Sequence, residues 1–381
     1  MSRRTLLVSL ATAAILLSPF WIAHLIWRLA PIRELDLLVV DYTVPTHSYS
    51  HHRGLFWLLN HLRIYPPGAR EEWDVEKNYV GYKPGKQGDT RRISQIELKR
   101  YQWVYLSDTY GVYDIDLVKS PGEKLAMQIR PKLLFGGLTL QDAEALSDFV
   151  GAGGNLILEF NVFTGTARDP ARKLAEKLVG MRWTGWAGRM VDELRDKTIT
   201  PRWLPELYRA NYPNRAFPKG PALFLVHSDG RLVVLHGETL EATSPSLSMT
   251  KEGRAILSGA YASPPYFGWF AIMEPQKGVE ILAEITLPAE RHWRQSYLKA
   301  SVPLTFPLVT RLRDKRTTRI YIAADIANLE ETPRHYQLAG LPLLQAAVNR
   351  RRDIISNRPA YWQFYVPVVG KLLRNASSIR D

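Results

Sequence analysis

Short apolar runs that end beside an acidic residue recur along the chain and predict buried strands. Four such runs occupy residues 35–40, 101–107, 155–160 and 319–325. Apolar runs of this length without polar alternation are typical of strands that are covered on both faces in a parallel sheet. An acidic residue stands at or near the end of each run: Asp41, Asp108, Glu159 and Asp325.

The stretch GGLTLQDAEALSDFVGAGG, residues 136–154, carries the clearest helical pattern. Thr139 can cap the helix start, Asp142 can complete a capping box, and the glycines near its end can stop it. Because the strand at 155–160 follows directly, the order of strand, helix and strand predicts a parallel α/β core.

The pattern changes after the core, and the following segment predicts antiparallel structure. Residues 182–189 (RWTGWAGR) indicate a turn rich in tryptophan and glycine. The later segment FLVHSDGRLVVLHG predicts a hairpin around Asp229-Gly230, because Asp-Gly favours the tight turns of hairpins. We therefore expect a β-rich insertion.

The N-terminal apolar stretch predicts a membrane anchor. Residues 5–27 carry no formal charge except a possible one on His24. At a rise of about 1.5 Å per residue, such a helix could cross a hydrocarbon core of about 30 Å. Arg3 and Arg4 favour a cytoplasmic N-terminus. The stretch is longer than the apolar region of a cleaved signal peptide, which is the alternative. We expect a single-pass signal anchor with the main domain outside the cytoplasm.

Composition and motif content narrow the chemistry. The chain has a formal net charge of +13 and no cysteine, so a disulfide, a thiolate metal site and a cysteine nucleophile are all excluded. The phosphate-loop, G-x-S-x-G and H-E-x-x-H patterns are absent from the sequence. No nucleic-acid-binding motif accompanies the basic excess, so we expect no nucleic acid partner.

The order of elements around Gly136-Gly137 resembles the class I glutamine amidotransferase-like superfamily. In that fold a strand ends at a Gly-Gly loop, a helix follows, and the next strand leads to the nucleophile elbow. The matching strand here is at 155–160, and residues 159–163 read EFNVF where the family places its cysteine. Since the chain has no cysteine, the resemblance implies a relative without amidotransferase activity.

These patterns together predict an α/β fold: a flavodoxin-like or amidotransferase-like parallel sheet with a β-rich insertion, preceded by one transmembrane helix. We divide the chain into a cytoplasmic tip with anchor (1–30), an α/β core (31–195), a β-rich insertion (196–310) and a last core strand with C-terminal helices (311–381).

Ligands of open α/β sheets bind beyond the carboxyl ends of the strands. If the four strands are parallel neighbours, their acidic residues face one crevice and could serve as acids and bases. The alternative is that each acid only caps a turn. The candidate catalytic residues are Asp41, Asp108, Glu159 and Asp325. The candidate ligand-binding residues are these four with Thr43, His47, His51, Thr109, Tyr110, Tyr113 and Asn161.

Three histidines, His47, His51 and His52, lie in the loop after the first strand. A zinc site there would need a third ligand such as Asp41 or Asp108 in a position that the sequence does not establish. We therefore predict no metal and no cofactor. A ligand contact or an acid–base role for one histidine stays open beside a plain surface position.

The chain has 11 Trp and 18 Tyr residues. Aromatic faces combined with carboxylates are typical of carbohydrate binding, although core packing is the alternative. We predict a membrane-anchored protein of the cell envelope that binds a polar ligand, with a saccharide polymer as the expected one. The alternatives are a carboxylate-dependent glycan hydrolase and a scaffold for an envelope protein complex. The expected partners are the membrane through residues 5–27, a saccharide polymer and envelope proteins.

Overall fold

The structure is a computed structural model that describes residues 3–68, 71–85, 89–118, 131–237, 239, 243–259, 261–350 and 356–380. The helices are α1 (Arg3–Leu29), α2 (Ser50–His61), α3 (Leu140–Gly151), α4 (Ala171–Val179), α5 (Leu204–Asn211), α6 (Lys251–Leu257), α7 (Arg291–Ala300), α8 (Leu341–Val348), α9 (Arg358–Ala360) and α10 (Val366–Ala376). A π-helical turn, Tyr361–Tyr365, joins the last two.

Within the described residues, the strands form two main sheets and two small ones. They are β1 (Arg33–Glu34), β2 (Leu37–Asp41), β3 (Ile64–Tyr65), β4 (Tyr79–Gly81), β5 (Trp103–Asp108), β6 (Val112–Tyr113), β7 (Leu133–Phe135), β8 (Asn155–Glu159), β9 (Met181–Val191), β10 (Ala222–His227), β11 (Leu232–His236), β12 (Ser246–Met249), β13 (Phe270–Pro275), β14 (Glu280–Thr286), β15 (Thr305–Arg313), β16 (Thr318–Ile322) and β17 (Ser378–Ile379).

The large sheet has eight strands in the order β12-β14-β15-β16-β8-β5-β2-β4. The strands from β16 to β4 run parallel, whereas β12, β14 and β15 pair antiparallel. The sheet is therefore mixed, and the prediction of a parallel sheet is wrong. The cause is local, because residues 314–317 join β15 to β16, and so short a link can connect only antiparallel neighbours.

The parallel half of this sheet is covered on both faces. Since side chains alternate along a strand, Leu37 and Val39 pack on the face that α2 and α10 cover. Leu38 and Val40 pack on the opposite face against α3 and α4. This double burial explains why the parallel strands have few polar residues before their last positions.

A second, four-stranded antiparallel sheet has the order β11-β10-β9-β13. β9 occupies the tryptophan- and glycine-rich segment, so the turn predicted there is wrong. Backbone bonds join this sheet to the large one: Ala271 N donates to Ala323 O at 2.8 Å, and Asp325 N donates to Trp269 O at 3.0 Å. The second sheet therefore lies beside the strand ends of the first.

The predicted membrane anchor is not supported. Within the described residues, no helix combines the length and the apolar content that a bilayer crossing demands. Pro19 and His24 interrupt the apolar residues of α1, and His24 Nδ1 donates to the carbonyl oxygen of Gln337 at 3.0 Å. The predictions of an anchor at residues 5–27 and of a single-pass membrane protein are therefore wrong, and the predicted placement of the main domain outside the cytoplasm loses the anchor on which it rested.

The predicted start of α3 is confirmed. Thr139 Oγ1 accepts from Asp142 N, and the Asp142 carboxylate accepts from Thr139 N. Arg92 and Ser94 also donate to this carboxylate, at 2.7 and 2.8 Å. Burial opposes ionisation, but the hydrogen bonds and charge of Arg92 hold the pKa of Asp142 below its usual range.

We predict that Asp142→Ala lowers the free energy of unfolding by about 3 kcal/mol, because it removes the carboxylate half of the capping box and leaves Arg92 without its carboxylate. The exposed Glu144 of the same helix provides the matched control, and Glu144→Ala should change stability by less than about 0.5 kcal/mol. Urea unfolding of both variants measures the effect.

This stabilisation should depend on pH. Because the folded-state pKa of Asp142 lies below the ordinary 3.8, its contribution is complete above that pH and is lost as pH falls through the lowered value. A difference between wild type and Asp142→Ala that persists unchanged in strong acid would contradict the assignment.

Candidate functional site

Asp41, at the end of β2, is buried and paired with a histidine. Its Oδ2 lies 2.6 Å from His52 Nδ1, and both side chains are fully buried, with 0% exposure. The second ring nitrogen of His52 donates to the carbonyl oxygen of Val75 at 2.8 Å. Asp41 Oδ1 accepts from the backbone N–H of Thr43. These bonds tie α2 and a neighbouring loop to the strand end.

Asp108, at the end of β5, accepts hydrogen bonds from three loops. Its Oδ1 accepts from Thr43 Oγ1 at 2.5 Å and from Tyr110 N at 2.6 Å. Its Oδ2 accepts from Asn161 Nδ2 at 2.6 Å. Thr43 Oγ1 also accepts from Gly111 N at 2.8 Å. The loops after β2, β5 and β8 therefore meet at one carboxylate.

His51 lies between two carboxylates. Its Nδ1 is 3.4 Å from Asp108 Oδ2 and 3.7 Å from Asp325 Oδ1. Burial lowers the pKa of His51, but the charges of Asp108 and Asp325 outweigh it and raise the pKa to about 10. Burial raises the pKa of Asp108 to about 6, against the opposing effect of the His51 charge. Asn328 Nδ2 donates to the second oxygen of Asp325 at 2.8 Å.

Glu159, at the end of β8, belongs to a buried network beneath the site. Tyr105 Oη donates to its Oε1 at 2.6 Å and lies 2.7 Å from Tyr365 Oη. Burial raises the pKa of Glu159 well above its usual range, although the Tyr105 hydrogen bond opposes this. Ser107 Oγ donates to the carbonyl oxygen of His51, which connects this network to the histidine.

A cleft of about 1360 Å³ opens between the strand ends of the large sheet and the second sheet. The large-sheet side contributes Thr43, His51, Tyr110, Asn161 and Asp325. The facing wall includes alternate residues of β9, namely Trp183, Gly185, Ala187 and Arg189. Period-two alternation turns these four side-chain positions toward the same space.

Aromatic side chains line much of this cleft: Tyr110, Phe160, Trp183, Trp203, Phe267 and Trp269. Tyr110 and Trp203 each keep 39% of their surface exposed. The guanidinium of Arg189 lies over the ring of Trp269, 5.8 Å from its centroid. The cleft therefore combines accessible rings with charged and hydrogen-bonding groups.

The predicted site residues divide into three groups. Those that line the cleft are Thr43, His51, Tyr110, Asn161 and Asp325. Those buried beneath it are Asp41, Asp108, Thr109 and Glu159. Of the remaining two, His47 contacts the hydroxyl of Tyr49, and Tyr113 packs beside Tyr110 with ring centroids 5.2 Å apart.

The facing wall of the cleft, formed by β9, was not predicted as part of a site. Its signal in the sequence is the alternation of Trp183, Gly185, Ala187 and Arg189, which is the period of a strand. The two glycines of the segment indicate a turn instead, and this obscured the strand. Trp203 and Trp269 reach the cleft only through the tertiary fold, so the sequence pattern does not indicate them.

Comparison with family models and with curated proteins finds no match. Among solved structures, similar chains include a β-galactosidase from Bacillus circulans sp. alkalophilus, with 10% identity over 79% of this chain and 30% of that chain and a TM-score of 0.34. The carbohydrate deacetylase Agd3 has 9% identity over 77% of this chain and 30% of that chain, with a TM-score of 0.36. A protein described as ThuA-like from Bacteroides uniformis has 10% identity over 81% of this chain and 89% of that chain, with a TM-score of 0.36.

The chain spans less than a third of the length of the two enzymes, both of which act on carbohydrates. With TM-scores below 0.5, these similarities do not assign a function to the chain. The predicted amidotransferase-like classification stays a prediction.

We predict that Thr43→Val lowers the free energy of unfolding by about 2 kcal/mol. The change keeps the shape of the side chain but removes the hydroxyl that donates to Asp108 and accepts from Gly111 N. Thr46 is exposed in the same loop, so Thr46→Val should alter stability by less than about 0.5 kcal/mol. Equal effects of the two substitutions in urea unfolding would show that the hydrogen bonds of Thr43 with Asp108 and Gly111 contribute little to stability.

Proposed function

We propose that this protein binds a saccharide chain in the cleft between its two main sheets. The observation that carries the proposal is the lining of the cleft, in which accessible aromatic rings alternate with hydrogen-bonding side chains. Sugar rings have apolar C–H faces and polar edges, so they suit a surface that offers both kinds of contact.

The size of the cleft supports an extended ligand. Sites for single small molecules usually measure roughly 300–1000 Å³. The volume here, about 1360 Å³, exceeds that range. Several linked sugar rings therefore fit the space better than one small metabolite does.

The charge of the lining supports a ligand without strong net charge. The cations are Arg172, Arg189, Arg358 and His51, and the acids are Asp116, Asp325, Glu330 and Glu331. The two signs balance, and several of these groups neutralise each other; Arg358, for example, lies 3.6 Å from Glu331. A polyanion would meet as much repulsion as attraction, whereas a neutral saccharide meets donors and acceptors.

Glycan hydrolysis is the second candidate, and one distance favours it. An oxygen of Asp108 and an oxygen of Asp325 lie within 4.8 Å of each other, so these two carboxyl groups are near neighbours, as retaining glycosidases require with a separation of about 5 Å. Against it, Asp325 is the one of the four predicted acids that lines the cleft, and Asp108 is buried beneath. Binding is therefore the function that the geometry supports best.

We predict saturable binding of neutral hexasaccharides to the full chain, measured by isothermal titration calorimetry with a panel of neutral, N-acetylated and acidic oligosaccharides. Tyr110→Ala and Trp203→Ala should each lower the affinity for the tightest-binding oligosaccharide on the order of tenfold, because each removes an exposed ring from the cleft.

Trp21 is the matched control, since it is 69% exposed and lies on α1, outside the cleft. Trp21→Ala should bind as the wild type does. Release of new reducing ends during the titrations would assign hydrolysis instead of binding alone. Failure of the wild type to bind any member of the panel would overturn the proposal. An equal loss of affinity in all three variants would do so as well.

A further inference from the structure

Three potential metal ligands converge at the floor of the cleft. They come from His51, Asp108 and Asp325, and one potential ligand atom of each residue lies within 4.8 Å of the other two. The nitrogen is 3.4 Å from the Asp108 oxygen and 3.7 Å from the Asp325 oxygen. An imidazole with two carboxylates is a donor set that suits transition metals.

The missing hydrogen bond of His51 Nδ1 is a second observation, independent of the distances among the three residues. Nδ1 is shielded from solvent and makes no hydrogen bond to any of the described residues, although two carboxylate oxygens face it. A buried ring nitrogen that faces two carboxylate oxygens without a hydrogen bond to either leaves space among the three groups for an additional atom. The contacts of 3.4 and 3.7 Å leave Nδ1 close to both oxygens but bonded to neither.

We propose that this cluster binds one divalent cation of the zinc class through His51, Asp108 and Asp325. Tetrahedral zinc with bonds of about 2.0–2.1 Å places neighbouring ligand atoms about 3.4 Å apart. The two nitrogen–oxygen distances are already close to that edge length. Calcium and magnesium prefer sets of oxygen ligands, so the imidazole disfavours them.

Neighbouring groups hold these ligands in place and leave each metal-facing oxygen with a lone pair. Asn328 donates to Oδ2 of Asp325, which leaves Oδ1 directed at His51. Thr43 and the backbone of Tyr110 donate to Oδ1 of Asp108, and its Oδ2 keeps a lone pair beside the bond from an asparagine. Outer hydrogen bonds of this kind orient the ligands of metal sites.

The cation would be reachable from the cleft. His51 and Asp325 both line the cleft, whereas Asp108 closes the site from beneath. Three protein ligands leave the fourth tetrahedral position open, which is the arrangement of zinc sites that contact water or a ligand. This site does not depend on the saccharide proposal, because its occupancy can be measured without any glycan.

The test uses the full chain, free of any histidine tag and stripped with a chelator, and zinc chloride as the titrant in calorimetry. We expect one saturable site per chain and a melting temperature that rises with zinc. His51→Ala and Asp325→Asn should each weaken binding by at least about tenfold and abolish that rise. Magnesium chloride should bind more weakly than zinc to the wild type.

His236 is exposed and lies outside the cleft, so His236→Ala controls for adventitious binding to surface histidines and should leave the affinity unchanged. Circular dichroism checks that each variant folds, and Asp325→Asn decides the question if His51→Ala does not fold. Absence of saturable zinc binding in the wild type would leave an imidazolium between two carboxylates and overturn the proposal. Wild-type affinity in Asp325→Asn would do the same.

Discussion

The buried carboxylate of Asp108 joins the loops that follow three neighbouring strands of the large sheet. Thr43 comes from the loop after β2, Tyr110 N from its own loop, and Asn161 from the loop after β8. Burial penalises the charged form of this group, and the three hydrogen bonds partly offset that penalty. The position of one side chain therefore fixes the relative positions of three loops, and with them the floor of the cleft.

The second wall of the cleft is attached to the same end of the sheet. Asp325 follows β16, and its backbone N–H donates to the carbonyl oxygen of Trp269, directly before β13. β16 is also the strand at which the pairing changes, since β8 is its parallel neighbour and β15 its antiparallel one. A crevice forms readily where the direction of connection changes, and here the antiparallel strands bring the second sheet against it.

The sequence was informative where the cause is local. The apolar runs predicted strands that became β2, β5, β8 and β16, and the capping box of α3 depends on residues three positions apart. Burial of Asp41 and Glu159 could not be predicted, because their partners are distant: His52 arrives through α2, and Tyr365 comes from the C-terminal segment. The mixed sheet was also missed: the short link between β15 and β16 is a local signal, but the addition of β14 and β12 beyond β15 depends on tertiary pairing.

The four strand-end acids lie in different surroundings, and this decides what the cleft can bind. Asp41 is paired with His52, and Glu159 is bonded to Tyr105 in an environment that raises its pKa. The remaining carboxylates, on Asp108 and Asp325, share one imidazole. Two acidic groups therefore face one imidazole, so negative charge predominates at the floor. An incoming anion would add to that charge in a poorly solvated place, whereas hydroxyl donors or a cation would compensate it. The electrostatics of the floor therefore disfavour anionic ligands, which is the shared basis of the saccharide proposal and the cation proposal.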